Sequence, residues 1–132
     1  MKKVWVLERY VDKAGMEKTL KELEEMIEFC KSENANDDVI ESCKKSYENY
    51  KVKMNNNPEG YWSGVAGKSV YKQFCYQAKD SLRYYLGEKH EDISRFRVVE
   101  GLIEDSATMW INYKMTKVND GVMRYLLATY KK

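Results

Sequence analysis

Histidine and proline each occur once in this chain, as His90 and Pro58, and cysteine only three times, as Cys30, Cys43 and Cys75. A single histidine rules out multi-histidine zinc centres and leaves no serine or cysteine nucleophile with a recognisable base. An odd cysteine count without a CxxC pair argues against a disulfide framework and for a reduced compartment. No apolar run approaches membrane-spanning length, and the start, Met1, Lys2, Lys3 and a short run broken by Glu8 and Arg9, does not read as a signal peptide. Charge of one sign is scarce as well. With 23 basic and 21 acidic side chains the formal net charge is +2, too small for a dedicated binder of duplex nucleic acid. The expectation is a soluble cytoplasmic protein, not an enzyme, with no cofactor, no metal and no membrane partner.

Three smaller groups are weighed and set aside. His90 lies among Glu88, Glu91 and Asp92 and reads as a solvated loop residue. Glu100, Glu104 and Asp105 lack converging ligands and read as a strand-end cap rather than a cation site. Gly64, Ala66, Gly67, Lys68 and Ser69 assemble the residue types of a phosphate loop, but GxxxxGK[ST] requires glycine where Trp62 stands, so a hairpin turn is expected.

Aromatic residues, by contrast, are plentiful: eleven Tyr, three Trp and three Phe in 132 residues. One small core cannot bury them all, so some are expected at an interface or on a stacking surface. The clearest pattern is an a/d seam written twice, Met16, Leu20, Leu23, Ile27 and Cys30, then Ile40, Cys43, Tyr47, Tyr50 and Met54. The polar stretch from Ser32 to Asp38 between them predicts an antiparallel helical hairpin, with Asp38 as N-cap and Glu41 as its reciprocal partner. Folding back near Asn36 sets Ile27 near Tyr47, Leu23 near Tyr50 and Cys30 opposite Cys43. The two cysteines are a possible redox pair, but a reduced compartment favours two small apolar seam residues, and Cys75 reads as helix packing. One narrow apolar stripe per helix suits a hairpin that protrudes or completes its seam with another subunit.

Val4 to Val11 reads as a strand apolar on both faces, hence central or covered on both sides. After Asn55 to Gly60 ends the hairpin, Tyr61 to Val65 and Lys68 to Tyr71 read as a small β-hairpin about Ala66 and Gly67. Phe74, Ala78, Leu82 and Tyr85 or Leu86 mark a helix stopping at Gly87. Arg95 to Glu104 and Thr108 to Val118 read as strands, and Val118, Asn119, Asp120, Gly121 as a hairpin signal leading into Val122 to Tyr130. The expected fold is α+β in a single domain: an antiparallel sheet with one packed helix (1–13 and 60–132), and a long antiparallel helical hairpin (14–57) inserted after strand one.

One constellation carries binding chemistry. Trp62, Phe96 and Trp110 are flat rings, Arg83, Arg95, Arg97, Lys114 and Arg124 are cations, and Asn112 offers donor and acceptor together. Rings stack on bases, guanidinium forks grip phosphates, and a carboxamide reads a base edge. Strand alternation would group Arg95 with Arg97, and Trp110 with Asn112 and Lys114. The competing reading makes the aromatics core and dimer interface, and the arginines a solvated rim.

The opening Lys2, Lys3, Val4, Trp5, Val6, Leu7, Glu8, the helical hairpin, then Gly60 to Gly64 and Phe96 to Gly101 together resemble small phage proteins that neutralise bacterial immunity. Within that group the chain is most similar to the first-described Thoeris anti-defence family, the signal sponges. The resemblance implies stoichiometric sequestration, without cleavage, of a cyclic ADP-ribose isomer, a symmetric homo-oligomer and, in some members, a site for cyclic oligonucleotides. It assigns no residue here. The alternative, from another class, is an inhibitor covering the surface of a nuclease or CRISPR effector, with Glu22, Glu24, Glu25 and Glu28 imitating nucleic acid or filling a groove, although Lys18, Lys21, Lys44 and Lys45 interrupt that acidity. A nucleotide hydrolase is disfavoured by the sparse acid–base groups.

Overall fold

The computed structural model describes residues 1–107 and 109–132. Its elements run β1 (Lys2–Asp12), α1 (Lys13–Ser32), α2 (Asp37–Asn56), β2 (Gly60–Lys68), α3 (Tyr71–Leu82), β3 (Phe96–Ile103), β4 (Lys114–Val118) and α4 (Asp120–Thr129). The fold is α+β, an antiparallel four-stranded sheet of order β2-β1-β3-β4 with a helical hairpin after strand one. The chain divides into two compact units, Met1–Tyr10 with Trp62–Lys132, and Val11–Tyr61. No helix among the described residues is long and apolar enough to cross a membrane.

In the sheet unit, β1 pairs with β3 from Lys2 opposite Ile103 to Arg9 opposite Phe96. Opposed residues share a face. Leu7 and Val98 therefore look one way, onto Phe74, Ala78 and Leu82 of α3 and Met123 and Leu126 of α4. Val4, Val6 and Val99 look the other way, under Trp110 and Tyr113 from the connection between β3 and β4. β1 is thus an inner strand sealed on both sides, as its two apolar faces require.

Four local expectations are corrected. Gly60–Lys68 is one continuous strand, not half of a β-hairpin, and Tyr71 already begins α3. The glycines there make room rather than turn the chain: a Cβ on Gly67 would stand 2.8 Å from Trp110 Cγ and Cδ2, and one on Gly64 2.9 Å from Cη2. Gly64 and Gly67 both face that ring although three residues apart, while Val65 and Ala66 both pack on the helical side, so the strand's alternation slips between them. The predicted strand 108–118 is reduced to Lys114–Val118 at the sheet edge; of that stretch Thr108 lies outside the described residues, and 109–113 is irregular, with a turn at Ile111 and Asn112.

The segment after Asn119 is helix rather than strand, so two helices, not one, pack on the sheet. Asn119 Oδ1 accepts from Val122 N at 3.0 Å, and Val122, Met123, Leu126 and Leu127 follow at helical spacing against the core. Asn119 Nδ2 also donates to Glu100 Oε2 at 2.8 Å. Glu100 is almost fully buried and takes ion pairs from Lys3 and, at 3.3 Å, Lys117. The Lys3 hydrogen bond above all, helped by Asn119 and Lys117, holds its carboxyl below the usual glutamate range against the opposing effect of burial.

In the hairpin unit the seam is where the periodicity puts it. Met16 is buried, and Leu20, Leu23, Ile27, Cys30, Ile40, Cys43, Tyr47, Tyr50 and Met54 are half-buried between exposed neighbours. α1 closes with Asn34 in the left-handed region at φ 55°, with Ala35 N–H reaching Cys30 O at 2.9 Å and Asn34 N–H reaching Lys31 O at 3.2 Å. That tight ending makes Asn36, not Asp38, the N-cap of α2, its Oδ1 accepting from Val39 N at 3.3 Å. Asp37 and Asp38 fall in the first turn, where they favour the positive end of the helix dipole.

Gly67→Ala should cost about 1–3 kcal/mol in urea unfolding, with a shift in tryptophan emission as Trp110 is pushed off the sheet. Glu100 has a folded-state pKa below its unfolded value. Its stabilisation is therefore present above about pH 4.5 and lost as pH falls through the lower folded value. Between about pH 5 and pH 3, wild type should lose more stability than Glu100→Gln.

Candidate functional site

A carboxylate on the inward period of an apolar strand has to find donors, and Glu8 does so in the face that Val4 and Val6 share. Glu8 is 4% exposed. Its Oε1 accepts from Arg97 Nε at 2.7 Å, across the β1–β3 pair, and its Oε2 from the Tyr113 hydroxyl. Burial first, and then the hydrogen bond to Glu8, push the Tyr113 phenol well above its usual range, so it stays protonated and donating.

Pinned at Nε, the Arg97 guanidinium stands 4.2 Å over the Trp62 ring. Tyr10 lies against the same indole, ring centres 5.3 Å apart and tilted by 60°. Arg97 Nη2 meets Met115 Sδ at 3.7 Å, and Nη1 has no acceptor among the described residues. A fixed fork with unused N–H groups beside two rings is a surface on which a planar group stacks while an anionic substituent meets the fork.

Of the nine residues expected to converge, Trp62 and Arg97 are brought into contact. Trp110 belongs to the same sheet face but is spent covering Gly64 and Gly67. Phe96 is buried on the opposite, helical face, against Tyr85 at 5.6 Å. Arg83 is on the helical side, paired with Asp80 at 2.5 Å and with Lys132 O at 3.1 Å. Arg124 is exposed on α4. Lys114 stands opposite Leu102, on the helical face of the sheet edge. Arg95 ends the short turn Ile93–Arg95 ahead of β3 and so escapes strand alternation with Arg97. Asn112 is exposed in a turn at φ 64°, not in a strand beside Trp110.

The expectation of one shared pocket for all nine is therefore corrected to a smaller cluster of Trp62, Arg97, Glu8, Tyr10 and Tyr113. Glu8 was detectable: it falls in the period of Val4 and Val6. Tyr113 was not, because nothing local fixes where it points. His90, at φ 55°, closes the turn Arg83–Glu88 and sets Glu91 N–H on Tyr85 O at 2.9 Å; the Glu91 carboxylate then holds Arg9 Nε at 2.8 Å. Among the described residues no three His, Cys, Asp or Glu are grouped to hold a metal ion.

Comparison with known protein families, with characterised proteins and with solved structures returns no match for this chain.

Arg97→Gln should destabilise the protein by about 2–3 kcal/mol, less than for a fully buried pair because the Arg97 side chain is 25% exposed. Tyr113→Phe should cost about 1–2 kcal/mol, and the double mutant less than the sum, since both answer one carboxylate; urea titrations of the three variants measure it.

Proposed function

We propose that this protein binds and sequesters a cyclic nucleotide signal, a cyclic ADP-ribose isomer or a cyclic oligonucleotide, without cleaving it. In this reading it acts in the bacterial cytoplasm as a phage-encoded inhibitor of immunity of the Thoeris anti-defence kind, assembled as a homo-oligomer. The observation that supports it best is the Arg97 guanidinium fixed over the Trp62 ring by Glu8, with Nη1 unspent. An adenine has a ring to stack on and its phosphate a fork to meet, at an ordering cost already met within the protein.

The same cluster is poorly suited to turnover. Glu8 is engaged at both oxygens, and the Tyr113 proton is held far more tightly than at an ordinary phenol, so neither is free to shuttle a proton.

A second reading has an observation of its own. On α1, Met26 and Phe29 are 51% and 64% exposed beside Glu22, Glu25 and Glu28, which also point outward, so an acidic helix carries an apolar anchor suited to a protein groove. Glu24 is less available, since it accepts from the Tyr47 hydroxyl at 3.0 Å. Charge reversal at Glu22, Glu25 and Glu28 separates the two: it abolishes inhibition under the second reading and leaves nucleotide binding intact under the first.

A cyclic ADP-ribose isomer at about one hundred times its Kd should add about 2.7 kcal/mol to stability and raise the Tm accordingly. It should be recovered intact after heat denaturation. Trp62→Ala should weaken binding by about tenfold or more. A cleaved product, or a Tm indifferent to every cyclic nucleotide tried, overturns the proposal.

A further inference from the structure

The opposite end of the same sheet face carries a second and independent feature. Lys2 at the start of β1, and Lys68 and Ser69 at the end of β2, rim a hollow of about 120 Å³ whose floor includes Val4 and whose wall is Gly67 with the Trp110 ring. Glu8 and Lys2 are six residues apart on β1, so this hollow lies about 20 Å along the strand from the Arg97 cluster.

Its lysines differ from two others on the sheet. Lys3 and Lys117 are both answered by Glu100. Lys2 and Lys68, though half-buried, have no acidic partner among the described residues. The nearby Asp105 carboxylate is taken by the Met1 amino group at 2.8 Å. Two lysines that line one hollow with a serine, and have no acidic partner among the described residues, call for an anion. A hollow of about 120 Å³ has room for several waters, or for one tetrahedral oxyanion. Two positive charges match a phosphate group, which carries about −1.5 to −2 at neutral pH, better than they match a carboxylate or a halide.

We propose that the Lys2, Lys68 and Ser69 hollow is a binding site for a single phosphate group, either free phosphate or the terminal group of a monoester. The site uses none of the Trp62–Arg97 residues and stands whether or not that cluster binds a nucleotide. Trp110 gives it a rigid wall, because the indole is seated on two glycines and cannot swing toward the strand. It also gives it a reporter.

In a Trp5→Phe, Trp62→Phe background Trp110 is the one remaining tryptophan. Titration with inorganic phosphate and with methyl phosphate at constant ionic strength should give a saturable change in its emission, with sulfate following and chloride inert. Tighter binding of methyl phosphate identifies a monoester as the natural occupant, and tighter binding of inorganic phosphate the free ion. Lys2→Gln and Lys68→Gln should each weaken binding by about tenfold or more, while Lys72→Gln, at an exposed position of α3, leaves it unchanged. Equilibrium dialysis of the unaltered protein with labelled phosphate should give one site per chain. No saturable site by dialysis, an equal response to chloride, or undiminished binding in both lysine variants overturns the inference. Loss of cyclic nucleotide binding with phosphate binding retained would count only against the nucleotide reading.

Discussion

Everything in the sheet unit follows from β1 being dry on both faces. A strand with Val4 and Val6 on one side and Leu7 on the other needs two covers, and the chain supplies them by different means. The helical side is closed by α3 and α4, regular elements whose apolar stripes do the work. The other side is closed from an irregular connection, chiefly by Trp110 and Tyr113, with Ala107 also packed there. A cover of so few residues holds only where the sheet is shaped to receive it. β2 presents bare backbone at Gly64 and Gly67 to the indole, and β1 presents the Glu8 carboxylate to the phenol.

The buried carboxylate then determines what else that face can do. Charge inside a sheet is costly unless answered in full, and Glu8 is answered by one cation and one hydroxyl. The cation, Arg97, is thereby fixed by its inner nitrogen while its outer edge stands over Trp62. Structural satisfaction at one end of the guanidinium and availability at the other come from the same contact. At the far end of the face the arrangement is the reverse, with Lys2 and Lys68 present and no carboxylate among the described residues to answer them.

The helical hairpin was legible because its signal is local and repeated: ten seam positions in strict period need no distant partner to be read. The partnership of Cys30 and Cys43 follows from it, and burial of the Cys30 thiol beside Cys43 raises its pKa. β1 and β3 were legible for a similar reason, as apolar runs bounded by polar residues. Misreadings cluster where one residue type serves two purposes. Gly64 and Gly67 look like turn residues and are landing space for an indole. Asn119, Asp120 and Gly121 look like a hairpin turn and are a helix start, because an asparagine side chain satisfies a free N–H equally well in either setting. In each case a contact distant in sequence decides. The scatter of the expected site has the same origin, since Arg95 and Asn112 were grouped by an alternation that their backbone does not follow.

That departure from alternation has a physical cause. In a strand, residues 110 and 113 would point to opposite faces, because an odd separation reverses direction. Sealing the sheet requires both to point inward: Trp110 and Tyr113 do so as a tilted pair with ring centres 6.1 Å apart, one on the glycines and one on Glu8. The parity has to be broken between them, and Asn112, at φ 64°, breaks it. Asparagine tolerates that left-handed conformation better than a β-branched residue would, so its amide is better explained by its backbone than by recognition of a base. The segment is irregular because two anchors three residues apart must share one face, which regular strand alternation does not allow.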